Sequence, residues 1–260
     1  MDTLTHALSG ALLARATAPE KADQNTLPLG RRVFLGFVAA ALPDIDFLMG
    51  QFGPVTYLLH HRGVTHSLIL LPIWAFALAW LSPFIWRRDR PWRAYFGIFA
   101  MGIGIHIAGD WITSFGTMVF SPFSDLRVTI GTTFIIDLWF TAIILAGLLA
   151  SLVWRSSRMP AVAGLAALCG YVAYQGVLQE RAIEWGVAYA RAAGLERAVV
   201  AGVRPVGGVV DRRVLVAHAD AVGEHVVPVG VEFRRLLPGA LRELAVTQAR
   251  LDQEIGRAHV

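Results

Sequence analysis

Charged residues and cysteine are both scarce in this sequence. Of its 260 residues only 16% are charged, against about a quarter in an ordinary soluble domain. With 55% hydrophobic residues and a mean hydropathy of +0.55, the chain is too apolar for one soluble core and points to a bilayer. Cys169 is the only cysteine, which excludes an internal disulfide and a thiolate metal cluster. It stands in an apolar run and reads as a packed thiol. A cleaved signal peptide is not expected, because Asp2 and no basic residue precede the first apolar stretch. The sequence pI of 9.7 would suit a nucleic-acid partner. Much of the basic excess, however, lies in short runs between apolar segments, where membrane topology accounts for it. No nucleic-acid partner is expected.

The shortage of charge is local. Residues 1–178 hold 12 basic and 9 acidic side chains, and residues 179–260 hold 11 and 10. This shift predicts a mainly α, polytopic membrane helical bundle over 1–178, with five to six membrane segments, followed by a small α+β extramembrane domain over 179–260. Segments 67–86, 134–154 and 159–178 reach the length of a crossing, about 20 residues. Segment 94–111 is apolar apart from His106 and Asp110. Segment 4–18 is short enough to be tilted, partly buried or re-entrant, and 33–49 is made irregular by Asp44 and Asp46. Ten basic residues (Arg15, Lys21, Arg31, Arg32, Arg87, Arg88, Arg90, Arg93, Arg155 and Arg158) lie on one side of these segments, against Arg62 and Arg127 on the other. The positive-inside rule makes the ten-charge side cytoplasmic and puts the tail opposite. In that tail 179–198 and 236–255 read as helix, and 199–203, 209–217 and 226–233 as short strands. His218, Asp220 and His225 form a second polar group that a hairpin turn would also explain. The tail reads as a cap over the membrane face or as a substrate-selecting lid.

The polar residues of the apolar region fall on the same side. His6 opens the first segment, Asp44 and Asp46 end the second, His60, His61 and His66 precede the third, His106 and Asp110 end the fourth, and Asp137 begins the fifth. All of these ends are remote from the basic loops. His106 and Asp110 are four apart and share a helix face. Pro43-Asp44-Ile45-Asp46 breaks a helix and presents carboxylates at its end. His61 and His66 frame a short turn. A mixed imidazole and carboxylate shell suits a divalent transition metal, zinc first, with manganese or iron as alternatives; calcium and magnesium prefer oxygen alone. Left partly open, such a shell lowers the pKa of bound water to about 7. The candidate ligands are His6, Asp46, His61, His66, His106 and Asp110, with Asp44 as the candidate catalytic base. An isolated interfacial His is ordinarily a hydrogen-bonding residue, whereas ionisable groups within spans are costly and usually functional. Asp46, His106 and Asp110 are therefore the hardest to read as structural. Asp44 also fits a turn cap, His60 a solvent-facing neighbour, and Asp137 a helix N-terminal charge. Gly102-Ile103-Gly104 reads as helix packing by small residues.

At these residues the sequence resembles the membrane-bound metal-dependent hydrolases, the LexA-binding, inner membrane-associated (YdjM-like) hydrolase family. The matching stretches are Thr5-His6-Ala7-Leu8-Ser9-Gly10, Leu42-Pro43-Asp44-Ile45-Asp46, His61-Arg62-Gly63-Val64-Thr65-His66-Ser67, His106 to Asp110 with Thr113 and Gly116, and Ser121-Pro122-Phe123-Ser124. They cover roughly the first 140 residues in order. The resemblance implies a bacterial inner (cytoplasmic) membrane protein, metal-dependent hydrolysis, and a site at His6, Asp44, Asp46, His61, His66, His106 and Asp110. A looser similarity to the zinc-dependent phospholipase C and nuclease group implies phosphodiester or lipid-headgroup cleavage. Membrane lipid is then a partner, and lipid-linked or envelope substrates are expected. Two other classes compete: a metal or ion transporter, and a non-catalytic scaffold with a structural metal. A transport path should continue toward the cytoplasm, yet the cytoplasmic halves of the segments are nearly free of acids and histidines. Paired repeats of the kind many transporters carry are not visible either.

Overall fold

The computed structural model describes residues 1–21, 23, 26–86 and 89–192, together with 199–203, 212–218, 221–227 and 234–235. The chain divides into two compact units, Met1–Val172 and Ala173–Val260. It is mainly helical: α1 (Thr3–Ala16), α2 (Leu29–Ala41), α3 (Pro54–His60), α4 (Leu71–Ile85), α5 (Arg93–Trp111), α6 (Leu138–Val153) and α7 (Met159–Ala192). The last of these begins in the first unit and runs into the second.

Local chemistry sets the helix ends. Asp2 caps α1 by accepting the Thr5 N–H at 2.9 Å, and Asp137 caps α6 by accepting the N–H groups of Trp139 and Phe140 at 3.0 and 3.1 Å. α2 passes without a loop into a 3₁₀ helix, Leu42–Phe52. The change falls at Pro43, which has no N–H to give and crowds the carbonyl four residues back. Pro54 and Pro72 stand in the first turns of α3 and α4, where a missing N–H costs nothing.

α1, α2 and α5 pack almost backbone to backbone. A Cβ built on Gly10 would stand 2.1 Å from the Gly36 carbonyl oxygen, and one on Gly36 2.5 Å from that of Gly10. A Cβ on Gly102 would stand 2.4 Å from the Ala39 Cβ. Small residues at a crossing let dispersion contacts form along the whole seam, the usual means of association in lipid. Leu35, Ala39, Tyr95, Ile98 and Ile103 form one apolar core. Leu12, Phe140, Ile144, Ala161 and Leu168 form a second. Outside these, α6 exposes Leu149, Leu152 and Val153 at 60%, 60% and 73%, an apolar surface suited to acyl chains rather than water.

The expectation of five to six membrane segments is corrected. Among the described residues two helices are long and apolar enough to cross a membrane, Leu29–Phe52 and Met159–Ala188. A third exists if Pro54–His66 and Leu71–Ile85, which meet at a 72° bend, form one broken span. Segment 4–18 yields a 14-residue helix, about 21 Å long against a hydrocarbon thickness of about 30 Å. Segment 134–154 yields only 16 helical residues because Asp137 starts the helix late. Segment 94–111 is helical throughout, in a helix that starts at Arg93 and carries His106 and Asp110.

In the second unit β1 (Val199–Val203), β2 (Arg212–His218), β3 (Ala221–Val227) and β4 (Arg234–Arg235) form an antiparallel sheet in sequence order. β1 coincides with the expected strand. β2 starts and ends later than 209–217. β3 lies earlier than 226–233, whose Pro228 cannot donate to a ladder. His218 pairs with Ala221, and His225 with Val214. Asp220 and the helical pattern at 236–255 lie outside the described residues.

Candidate metal centre

Four side chains from two helical segments and a turn converge at one end of the first unit. Asp44 comes from the 3₁₀ continuation of α2, His66 from the short turn before α4, and His106 and Asp110 from successive turns of α5. One donor atom from each lies within 4.8 Å of all the others. His66 Nε2 is 3.2 Å from Asp110 Oδ2 and 3.7 Å from Asp44 Oδ1. His106 Nε2 is 3.4 Å and 3.5 Å from the same two oxygens. Ligands about 2.0–2.2 Å from a tetrahedral ion are separated by about 3.3–3.6 Å; these four spacings lie within about 0.1 Å of that range, whereas the 2.8 Å between the two Nε2 atoms is shorter than it.

The hydrogen bonds behind the two imidazoles fix their tautomers. His106 Nδ1 donates to the Ala40 carbonyl at 2.6 Å. That carbonyl belongs to the last turn of α2, three residues before Pro43, which has no N–H to give it. His66 Nδ1 lies 2.9 Å from Thr65 Oγ1 and 3.4 Å from Asp46 Oδ2. Because the Thr65 hydroxyl itself donates to Asp46 at 3.3 Å, it accepts from His66. With Nδ1 donating, the neutral form of each ring turns its lone pair inward from Nε2, and these two atoms are 2.8 Å apart. Two lone pairs at that distance require a positive centre between them, an ion or a shared proton. Asp110 Oδ2 faces the same point, buried and without a hydrogen-bond donor among the described residues. Two carboxylate oxygens and two imidazole nitrogens are the mixed donors that a divalent transition ion takes. The donor set fits a metal.

The remaining candidates surround this quartet. His6 donates from Nε2 to Asp110 Oδ1 at 2.9 Å and stacks on His106 with ring centroids 3.8 Å apart. Asp46 accepts from His61 Nδ1 at 2.9 Å and from the Arg62 backbone N–H at 2.8 Å. It stands behind His66, not beside the two Nε2 atoms. His61 is held by Asp46 and stacks on Tyr57. His60 is exposed and bonds to the Thr56 carbonyl. Asp137 is used as the α6 cap and accepts from the Tyr171 hydroxyl. The Met1 amine contacts Asp110 as well, and burial pushes it below the usual α-amine range.

Arg62 is the residue that sequence reasoning passed over, having read it only as a loop charge. It is buried, with NH2 2.8 Å from Asp110 Oδ1 and NH1 2.8 Å from Thr113 Oγ1. Its backbone is left-handed, with φ of 60°. Its place between His61 and Gly63 in a turn framed by two histidines was the available signal.

A cavity of about 450 Å³ opens beside the quartet, lined by Thr3, Asp44, Phe47, Tyr57, His61 and Arg62 among others. Asp44 is 13% exposed, whereas His66, His106 and Asp110 are fully buried. Access to the quartet therefore runs past Asp44.

Residues 1–182 match the YdjM inner membrane protein family. The chain is also similar to an uncharacterized protein, YfhP, of Bacillus subtilis (strain 168). The two are 24% identical over 188 residues, covering 70% of this chain and 55% of that protein. The chain thus spans about half the length of the curated relative it matches. No solved structure matches it.

Proposed function

The chain belongs to the YdjM inner membrane protein family, and from that premise we propose that it is a membrane-bound metal-dependent hydrolase using Asp44, His66, His106 and Asp110 to hold the ion. The observation that carries this reading is the pair of opposed Nε2 atoms, 2.8 Å apart, facing a buried carboxylate oxygen with no hydrogen-bond donor among the described residues. When bound, a divalent transition ion (zinc first, manganese or iron as alternatives) supplies Lewis acidity toward water and a substrate oxygen. Other functions fall to the chain's own groups. Ala40 and Thr65 hold the two imidazoles in the ligating tautomer, as partners behind metal-bound histidines do elsewhere. Asp44 is anchored through Oδ2 by the Thr3 hydroxyl at 2.6 Å. As the one part-exposed member of the quartet, on the cavity wall, Asp44 is the ligand that would yield its place to an entering water and take that water's proton. Arg62 lines the same cavity and would give an anionic substrate group a cation to approach.

The substrate we infer is a phosphodiester or other lipid-linked envelope compound, met on the non-cytoplasmic face. Two features support this: the quartet lies at the helix ends opposite the basic loops, and the surrounding surface is apolar. The test is a screen of phosphodiester, ester and amide substrates with metal-replete wild type and His106→Ala protein. Turnover by wild type that falls at least about a thousandfold in the variant is expected. Equal turnover by both would remove catalysis from this site, and stoichiometric metal with no turnover on any class would leave a structural metal in a scaffold.

A further inference from the structure

At the helix ends remote from the quartet, five arginines meet in one cavity. Arg15 lies near the end of α1, Arg32 in the first turn of α2 and Arg90 before α5, while Arg155 and Arg158 join α6 to α7. They line a space of about 450 Å³. Along α1, Arg15 is nine residues beyond His6, about 14 Å of helical rise.

Positive-inside sorting explains why basic residues share a face, but not why they converge on one cavity. Ion pairing does not explain it either, because these arginines bond mainly to backbone carbonyls. Arg15 donates to the carbonyls of Arg155 and Ser157 at 3.0 and 2.6 Å. Arg32 donates to those of Ala14 and Thr17 at 2.9 and 3.1 Å. Arg90 donates to Thr26 and Asp89 at 3.4 and 2.9 Å, and Arg155 to Leu152 at 3.1 Å. Carbonyl contacts hold a guanidinium in place without cancelling its charge. Glu20, 3.2 Å from Arg158, is the one carboxylate lining the cavity among the described residues. Arg31, by contrast, lies outside the cavity and is paired with Asp89. Arg15 is only 7% exposed, and a charge so buried with no anionic partner among the described residues is costly unless a ligand supplies one.

We propose that this cavity binds the phosphate of an anionic membrane phospholipid and so ties together the loops on the basic face. The rim favours a lipid over a soluble anion. Leu29 lines the cavity while 40% exposed, and Leu152, Val153 and Trp154, just before Arg155, are 60%, 73% and 60% exposed. Headgroup phosphate meets arginine where acyl chains meet this apolar strip, with a Trp at the interface. The site does not depend on the hydrolase reading.

The experiment is native mass spectrometry of the full chain in mild detergent, titrated with phosphatidylglycerol and, separately, phosphatidylcholine. Wild type should retain phosphatidylglycerol at least about tenfold more tightly. Loss of one arginine should weaken retention roughly fivefold, and Arg90→Ala with Arg158→Ala about twenty-five-fold. Arg31→Ala should leave it unchanged. If the double variant does not elute as a single species, Arg158→Gln is read alone, its parent side chain being 42% exposed. Inorganic phosphate in large excess should leave the lipid bound. Equal retention of the two lipids, an unchanged double variant, an equal loss in Arg31→Ala, or displacement by inorganic phosphate would each overturn the proposal.

Discussion

Asp44 and Asp46 sit two residues apart on a 3₁₀ turn, which advances about 120° per residue, so their side chains cannot face the same point. They come to lie on opposite sides of His66, Asp44 near Nε2 and Asp46 near Nδ1. Asp44→Asn should therefore lower zinc affinity more than Asp46→Asn, for which a loss of about 10–100-fold is expected from removing an orienting partner. Competition with a fluorescent chelator gives the order, and the reverse order would exchange the two roles. Arg62 makes a separate case. A left-handed backbone costs a non-glycine residue about 1–2 kcal/mol, yet its guanidinium is buried against Asp110 and Thr113. Arg62→Ala should cost about 3 kcal/mol by leaving a buried carboxylate short of its counter-charge. Arg62→Gly should cost about 1 kcal/mol less, since the turn then suits its residue. Denaturant titration in detergent measures both. The sequence makes His106 and Asp110 legible as a pair because α5 keeps a regular 3.6-residue period through both. It does not give the phase of Asp44 against Asp46, because the period changes at Pro43 between α2 and those residues.

At the scale of elements, the site depends on how closely α1, α2 and α5 approach. The Ala40 carbonyl that orients His106 is carried by α2, and the Gly10–Gly36 contact decides how near α2 lies to α1. Gly36→Ala must push a methyl group into the Gly10 carbonyl, at 2.5 Å, and the Ala14 Cβ, at 2.6 Å. A loss of about 2–3 kcal/mol is expected for such overpacking. Gly30→Ala, in the first turn of the same helix with nothing within 4 Å of the added Cβ, should instead gain about 0.5 kcal/mol from reduced unfolded-state freedom. Thermal unfolding of the two variants compares them directly, and equal effects would mean that the crossing is not tight. Apolar runs locate these helices in the sequence within a few residues. They show 4–18 to be short, but not that 134–154 is too short to cross, because apolar residues outside a helix count equally in such a run. Asp137 is the marker that the helix begins later than the run.

Over the whole molecule, the first unit separates its chemistry by end: the imidazoles and most carboxylates at one, most arginines at the other, and apolar surface between. Ligands from α2, the turn before α4 and α5 meet in a single quartet, so an ion bound there joins segments that are distant in sequence. Binding should raise stability by about 4 kcal/mol at a thousandfold excess over Kd, and chelation should lower the midpoint of thermal unfolding accordingly. Segment polarity makes this separation readable from sequence, since every candidate ligand ends or begins an apolar run away from the basic loops. Convergence of four donors to within 4.8 Å is a property of helix packing and has no local signature. The central claim is that this quartet holds a metal, and the direct measurement is metal content per chain after loading with zinc and desalting. Wild type and His60→Ala should each retain one ion per chain and His106→Ala none. Wild type without stoichiometric metal, or His106→Ala with as much as wild type, would contradict it.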